Sequence, residues 1–289
     1  MKATKHLMLL TAFLLLVGAL VFAITACGDD DDDDDDDAVG SLEFYANGEE
    51  FIRDGFTSMD GWRIDFTHFW VYLQGFTAYQ YVEESTEEQK ILPAHAGHPH
   101  EDIPEGTAHE TLLDTYAIDL ALGEDRTLVD TIDDAPVGNY NYIAFNMVQG
   151  NEGFSIIMQG TASKGEDSID FTIQLTEEMT FSSCHQEVDD EYAGVVDEGG
   201  LGTVESTFHS DHVFGDEETL GEEDSVNEIA LGFQAIYDLM TDLGVNSVTQ
   251  QDLADGLGGE DYLTFMEAVK TLGHSGEGHC EYSDYEAEE

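Results

Sequence analysis

The amino-acid sequence predicts a mainly β protein: an antiparallel β-sandwich with a small C-terminal helical subdomain. Before residue 216, hydrophobic and polar residues alternate over short stretches, as in residues 169 to 175, and this period of two is typical of half-buried strands. After residue 216 the hydrophobic residues recur at helical spacing, as in residues 229 to 243. We therefore expect a β-sandwich domain over residues 41 to 216 and a helical region over residues 217 to 289 that packs on it.

The helical region is expected to contain three helices. In the first, Ser225 followed three residues later by Glu228 forms a capping-box pattern, and Gly244 is a suitable residue to end the helix. Leucines at 253 and 257 mark a second helix, and the hydrophobic residues between 262 and 272 mark a third. Their hydrophobic stripes are interpreted as packing faces.

The charge of the chain is strongly negative. Its 289 residues contain 64 acidic and 8 basic side chains, for a formal net charge of −56, while 41% of the residues are hydrophobic. Nucleic-acid binding is excluded because it depends on lysine and arginine replacing counterions at phosphates. The hydrophobic content argues against disorder. Such a surface is typical of a halophilic acidic protein, whose self-repulsion is screened by salt, and the alternative is a calcium-collecting protein.

The N-terminal residues 1 to 26 have the features of a secretory signal peptide. Lys2 and Lys5 form its charged segment, and an apolar segment follows over residues 7 to 23. The residues before Cys27 (Ile24-Thr25-Ala26) complete a motif that resembles the bacterial lipobox. The resemblance implies that Cys27 is lipidated and that the protein is an extracytoplasmic, membrane-anchored lipoprotein. The alternative interpretation is an uncleaved membrane anchor.

The segment over residues 27 to 40 is interpreted as a tether that follows the lipidated cysteine. Residues 29 to 37 are nine consecutive aspartates, which cannot be buried and repel one another into an extended chain. Gly28, where an aspartate would favour inner-membrane retention in a Gram-negative source, argues for the outer membrane, either facing the periplasm or at the cell surface.

Strand patterns occupy most of the predicted sandwich. Residues 62 to 72 alternate strongly, and His68 on their aromatic side is expected to be a hydrogen-bonded core histidine. Further along, an Asp-Leu pair at 119 to 120 precedes a Pro-x-Gly-x-Tyr turn at 136 to 140. This arrangement resembles prealbumin-like β-sandwich modules of bacterial surface lipoproteins. The resemblance implies a sandwich of seven or eight strands, which agrees with the strand patterns.

The densest group of candidate metal ligands lies in residues 207 to 216. His209 and His212 are three residues apart, with Asp211 between them and a phenylalanine on either side. On a regular strand, His209 and His212 would point to opposite faces, so both can bind one ion only if the strand bends or ends at Asp211. Imidazole nitrogen favours zinc or copper over calcium, which prefers oxygen.

The two cysteines of the body, Cys184 and Cys280, each have a histidine beside them in the sequence. In an oxidising compartment they are expected to form a disulfide, although thiolate ligation of a metal is an alternative. A disulfide would bring the glycine-rich tail over residues 273 to 280 towards the late strands. This tail carries His274 and His279, so it is predicted to supply the second half of the site begun by His209 and His212.

A third group of histidines lies in a proline-punctuated loop over residues 83 to 110. His95, His98 and His100 are close together beside acidic residues, and histidine-rich tracts are typical of metal capture. We interpret them as a mobile recruiting set for the metal, and the alternative is a solvated loop without function.

No catalytic motif is present in the sequence, so an enzyme is not expected. The sequence favours a lipid-anchored protein that binds zinc or copper for capture or hand-over, with a metal-transport or envelope protein as a possible partner. The alternative function is a non-catalytic cell-surface interaction or adhesion module with structural histidines, stabilised by calcium.

Overall fold

The computed structural model describes residues 38–80, 107–123, 125–186, 194–222, 226–276 and 278–287. For His279 it describes the backbone alone. Of these residues, 47% form strands and 21% form helices. The fold class predicted from the sequence is confirmed: the protein is mainly β and sandwich-like, with several sheets and most of its helices near the C-terminus.

The smaller main sheet has five strands in the order β16-β15-β13-β1-β6. Its strands are β1 (Val39–Asn47), β6 (Thr127–Pro136), β13 (Leu201–Phe208), β15 (Gly273–Ser275) and β16 (Gly278–His279). β1 and β13 run parallel to each other, whereas the other neighbours are antiparallel. The C-terminal tail therefore forms one edge of this sheet.

The larger sheet has ten strands and is built around one long strand, β3 (Arg63–Tyr79). Its other strands are β2 (Phe56–Thr57), β4 (His109–Leu112), β5 (Tyr116–Asp119), β8 (Tyr142–Met147), β9 (Ile156–Lys164), β10 (Asp167–Leu175), β11 (Met179–His185), β14 (Ser247–Thr249) and β17 (Glu281–Asp284). A separate two-stranded sheet pairs β7 (Gly138–Asn139) with β12 (Val195–Val196). The two main sheets thus exceed the seven or eight strands expected from the sequence.

The helices are short. They are α1 (Glu49–Arg53), α2 (Asp211–Phe214), α3 (Gln234–Leu243), α4 (Gln250–Gly256) and α5 (Gly259–Lys270), with 3-10 turns at Glu217–Thr219 and Val226–Glu228. After residue 216, the helices α3 to α5 alternate with strands that join both main sheets. The region after residue 216 is therefore continuous with the sheets as well as helical.

The first C-terminal helix begins later than its capping-box pattern predicts. Ser225 lies outside the described residues, and Gly232 has a left-handed φ of 79°, which interrupts a helix before α3. α3 begins at Gln234, whose backbone N–H donates to Asp60 Oδ2 at 2.7 Å. The predicted end is confirmed, since Gly244 adopts the left-handed conformation after Leu243.

Aromatic side chains join the inner faces of the two main sheets. Phe44 on β1 packs edge-on against Phe76 on β3, with ring centroids 5.1 Å apart. Phe208 at the end of β13 contacts Phe145 on β8 at 5.7 Å. All four rings are buried, so the end of β13 is attached to the hydrophobic core.

Candidate metal centre

The chain changes from strand to helix between His209 and His212. β13 ends at Phe208, and α2 begins at Asp211. The turn is closed by backbone hydrogen bonds from His212 N to His209 O and from Val213 N to Ser210 O, at 3.3 and 3.1 Å. Residues three apart lie on one side of a helical turn, and the two histidine ring centroids are 5.5 Å apart. The strand thus ends where the shared-ion prediction required it to end.

β15 adds His274 to this pair of histidines. It pairs with β13 so that Thr207 faces His274 and Phe208 faces Gly273. The backbone N–H of His209 donates to Leu272 O at 3.1 Å, which continues the pairing past the end of β13. The His274 ring centroid lies 4.3 Å from that of His209 and 4.7 Å from that of His212. The tail therefore meets the histidine turn through sheet register.

The three histidines form a compact buried group. One ring nitrogen from each lies within 4.8 Å of the corresponding nitrogens of the other two, an arrangement that could hold a metal ion. The three residues are buried, with exposed fractions of 7% for His209, 5% for His212 and 3% for His274. Three histidines are a known ligand set for zinc, and they leave a coordination position for another ligand.

Hydrogen bonds orient the ring of His212. Its Nδ1 is 3.0 Å from Thr271 Oγ1, and the Thr271 hydroxyl donates to Ala268 O at 2.9 Å at the end of α5. Because the hydroxyl proton is already donated, Thr271 Oγ1 accepts from His212 Nδ1–H. The lone pair of the neutral ring is then on Nε2, the nitrogen that remains for a metal.

Two carboxylates accompany the histidines. Asp211 is buried, and its Oδ1 has no hydrogen-bond partner among the described residues. Burial raises the pKa of Asp211 to about 6, although the nearby His209 acts in the opposite direction. Glu49, the first residue of α1, places its Oε1 3.8 Å from His209 Nε2. Asp211 is among the residues predicted from the sequence, whereas Glu49 is not, because nothing in the sequence distinguishes it from the other acidic residues, 64 in all.

A cleft of about 410 Å³ lies next to this part of the molecule. Five of its lining residues are acidic, and Arg63 is its one basic lining residue; the acidic ones are Glu50, Asp54, Asp216, Glu217 and Glu218. Asp216 also acts electrostatically on Asp211 and raises its pKa. The three histidines do not line the cleft, so the cleft is separate from the candidate centre.

The predicted ligands fall into three groups. His209, His212 and His274 come together, with Asp211 beside them. For His279 only the backbone is described, and it pairs with His274 across β15 and β16. His95, His98 and His100 lie outside the described residues. The structure therefore brings the histidine turn and the C-terminal tail together, the tail through His274.

The cysteines form the expected disulfide. Cys184 at β11 and Cys280 are bonded with an S–S distance of 2.06 Å, so they are not thiolate ligands. Disulfides are typical of extracytoplasmic proteins. Among the described residues, the helices are all too short or too polar to cross a membrane.

His68 differs from its sequence prediction. It is hydrogen-bonded as expected, with its Nδ1 2.5 Å from Asp119 Oδ2, but 42% of its side chain is exposed. It lies on the outer side of β3 and stacks on Trp70 instead of packing in the core. The predicted core position was wrong because the pairing of β3 with β9 shifts register between Phe66 and His68, which reverses the side of β3 that faces the core: Phe66 is buried before the shift and Phe69 after it.

Comparisons with protein-family models, with curated protein sequences and with solved structures found no match to this chain.

Proposed function

We propose that this protein is a lipid-anchored, extracytoplasmic metal-binding protein that takes up zinc or copper for capture or hand-over. The observation that carries the proposal is the buried group of His209, His212 and His274, whose ligand nitrogens lie within 4.8 Å of one another. Imidazole is a favoured ligand of both metals. Burial of the three rings excludes competing water, which strengthens their attraction for a cation.

The location is supported by two independent features. Residues 1 to 26 have a signal-peptide pattern ending in a lipobox-like motif before Cys27, and the body contains the Cys184–Cys280 disulfide. The aspartate run after Cys27 would hold the folded domain away from the membrane. A metal-transport or envelope protein is the kind of partner that such a location offers.

Replacement of one buried histidine tests the proposed centre. Untagged protein is stripped with a chelator, dialysed against zinc or copper(II), and its bound metal is counted by elemental analysis. We expect His274→Ala to bind one equivalent of metal fewer than the unmodified protein, because the two imidazoles that remain are too few ligands to hold the ion. The comparison is made by difference because the aspartate run and other histidines also attract cations.

His109→Ala is the matched control, since His109 is exposed on β4 and hydrogen-bonded to Thr107 O. It should retain the full metal content. Equal metal content in His274→Ala and His109→Ala would refute the centre and favour a surface interaction module with structural histidines.

A further inference from the structure

The position of Glu49 beside the histidines follows from the pairing of two parallel strands. β1 and β13 run side by side, with Asn47 facing Thr207 as the last pair. Glu49 and His209 each come two residues after that pair, so both leave the sheet at the same end. The result is a carboxylate oxygen 3.8 Å from His209 Nε2, joining segments 160 residues apart in the sequence.

Local contacts hold the Glu49 backbone in this position. Its N–H donates to Asn47 Oδ1 at 2.8 Å, and Arg53 Nη1 donates to the same oxygen. Glu49 has a left-handed φ of 51°, which is unusual for a residue with a side chain and is tolerated where surrounding structure imposes it. A Cβ at Gly48 would lie 2.9 Å from the Cβ of Leu120, so the tight approach before Glu49 requires glycine.

A second carboxylate, that of Asp211, also acts electrostatically on His209. Asp211 lies between His209 and His212, is 6% exposed, and has an Oδ1 without a hydrogen-bond partner among the described residues. A buried carboxylate oxygen without a partner is costly unless a cation lies close to it. Asp211 and Glu49 also act on each other electrostatically, which places both near the histidine group.

We infer that Glu49 and Asp211 make the histidine centre selective for a divalent cation over Cu⁺, with Glu49 as a selectivity-determining residue. The inference rests on the proposed function. Coulomb energy is proportional to the charge of the ion, so each carboxylate stabilises Zn²⁺ or Cu²⁺ about twice as much as Cu⁺. The described cysteines, whose soft thiolates would favour Cu⁺, are joined in the disulfide.

Neutralising Glu49 without changing its shape tests the selectivity. Affinities for Zn²⁺ and, under anaerobic conditions without thiols, for Cu⁺ are measured by competition with chromophoric chelators. We expect Glu49→Gln to lower the Zn²⁺ affinity about 10- to 100-fold, the size of effect known for outer carboxylates of metal sites. On a logarithmic scale, the loss of Cu⁺ affinity should be half the loss of Zn²⁺ affinity, or about 3- to 10-fold, because Cu⁺ carries half the charge.

Glu50→Gln is the control, since it removes the same charge one residue along α1 and should change both affinities less than twofold. Asp211→Asn repeats the test from the second carboxylate if Glu49→Gln does not fold. Equal losses for both ions, or a zinc loss no larger than in the control, would overturn the inference. A wild-type protein whose metal content equals that of His274→Ala would instead refute the proposed function itself.

Discussion

The three histidines of the centre are held by different contacts. His212 donates its Nδ1–H to Thr271 Oγ1. The Nε2 of His209 lies 3.4 Å from Gly276 O and 3.8 Å from Glu49 Oε1. A neutral imidazole has one protonated nitrogen, so oxygen acceptors around Nε2 place the proton there and the lone pair on Nδ1. His209 would then offer Nδ1 to an ion, whereas His212 would offer Nε2.

Asp211 makes the stability of the metal-free protein depend on pH. Because burial raises its pKa from 3.8 to about 6, the folded protein binds a proton more tightly than the unfolded chain between these values. Stability therefore falls as pH rises through that window and stays lower above it. Asp211→Asn should abolish this fall and raise the free energy of unfolding at pH 7 by up to about 3 kcal/mol, at about 1.4 kcal/mol per pKa unit.

The measurement is chemical denaturation in the presence of a chelator, at half-unit steps between pH 4 and 8. Asp255→Asn serves as a control because it removes the same negative charge from an exposed residue of α4. Parallel curves for wild type and Asp211→Asn would contradict the prediction.

At the scale of elements, the end of a strand determines whether the histidines can act together. Had β13 continued through His212, the two histidines would have pointed to opposite faces. α2 begins two residues after the strand and ends at Phe214, and Gly215 follows it with a φ of 67° that suits glycine. A four-residue helix has little stability alone, so packing of the buried Val213 and Phe214 holds this turn.

The disulfide ties the tail to β11, and its removal should be costly. The chain-entropy model gives about 4.7 kcal/mol for a loop of this length, since the two cysteines are 96 residues apart in the sequence. The double variant Cys184→Ala/Cys280→Ala should lose free energy of unfolding by up to that amount, as measured by denaturant titration. A single variant would leave a reactive thiol, so the double variant is compared with oxidised wild type.

Metal binding by the double variant should survive better than by His274→Ala. β15 remains paired to β13, and Gly276 N still donates to Thr207 Oγ1 at 3.1 Å. Complete loss of metal in the double variant would show that the disulfide, and not the sheet register, holds His274 in place.

For the whole molecule, charge is the dominant property. The whole chain has a net charge of −56, and the interior of its described part is filled with aliphatic and aromatic side chains, so the repulsion there is a surface effect. In the described part of the chain, few basic side chains offset the negative charge. One of them, Arg126, forms an ion pair with Glu205 at 3.1 Å and lies 4.0 Å from the Tyr45 ring centroid.

Salt should therefore stabilise the protein. The Debye length falls from about 10 Å at 0.1 M to about 3 Å at 1 M, which screens neighbouring surface carboxylates from one another. We expect the melting temperature to rise steeply between 0.1 and 1 M NaCl and more slowly above, measured by calorimetry with a chelator present. A melting temperature indifferent to NaCl would contradict a halophilic interpretation.

Much of the fold class was predictable because strand and helix periods are local properties of the sequence. Alternation in residues 169 to 175 corresponds to β10, and helical spacing before Gly244 corresponds to α3. The start of α3 was not predictable, since its first N–H is bonded by Asp60 from a distant segment. The number of strands was underestimated because strands as short as β15 and β16 show no alternation of their own.

The sequence by itself determined which side chains are candidate ligands and which can form a disulfide, namely histidines three residues apart, a histidine-bearing tail and a pair of cysteines. Only the tertiary structure decided that β13 stops at Phe208, that His274 joins His209 and His212, and that Glu49 lies beside them. The reason is physical: these positions are set by the register of β1, β13 and β15, and strand register depends on contacts between residues far apart in the chain.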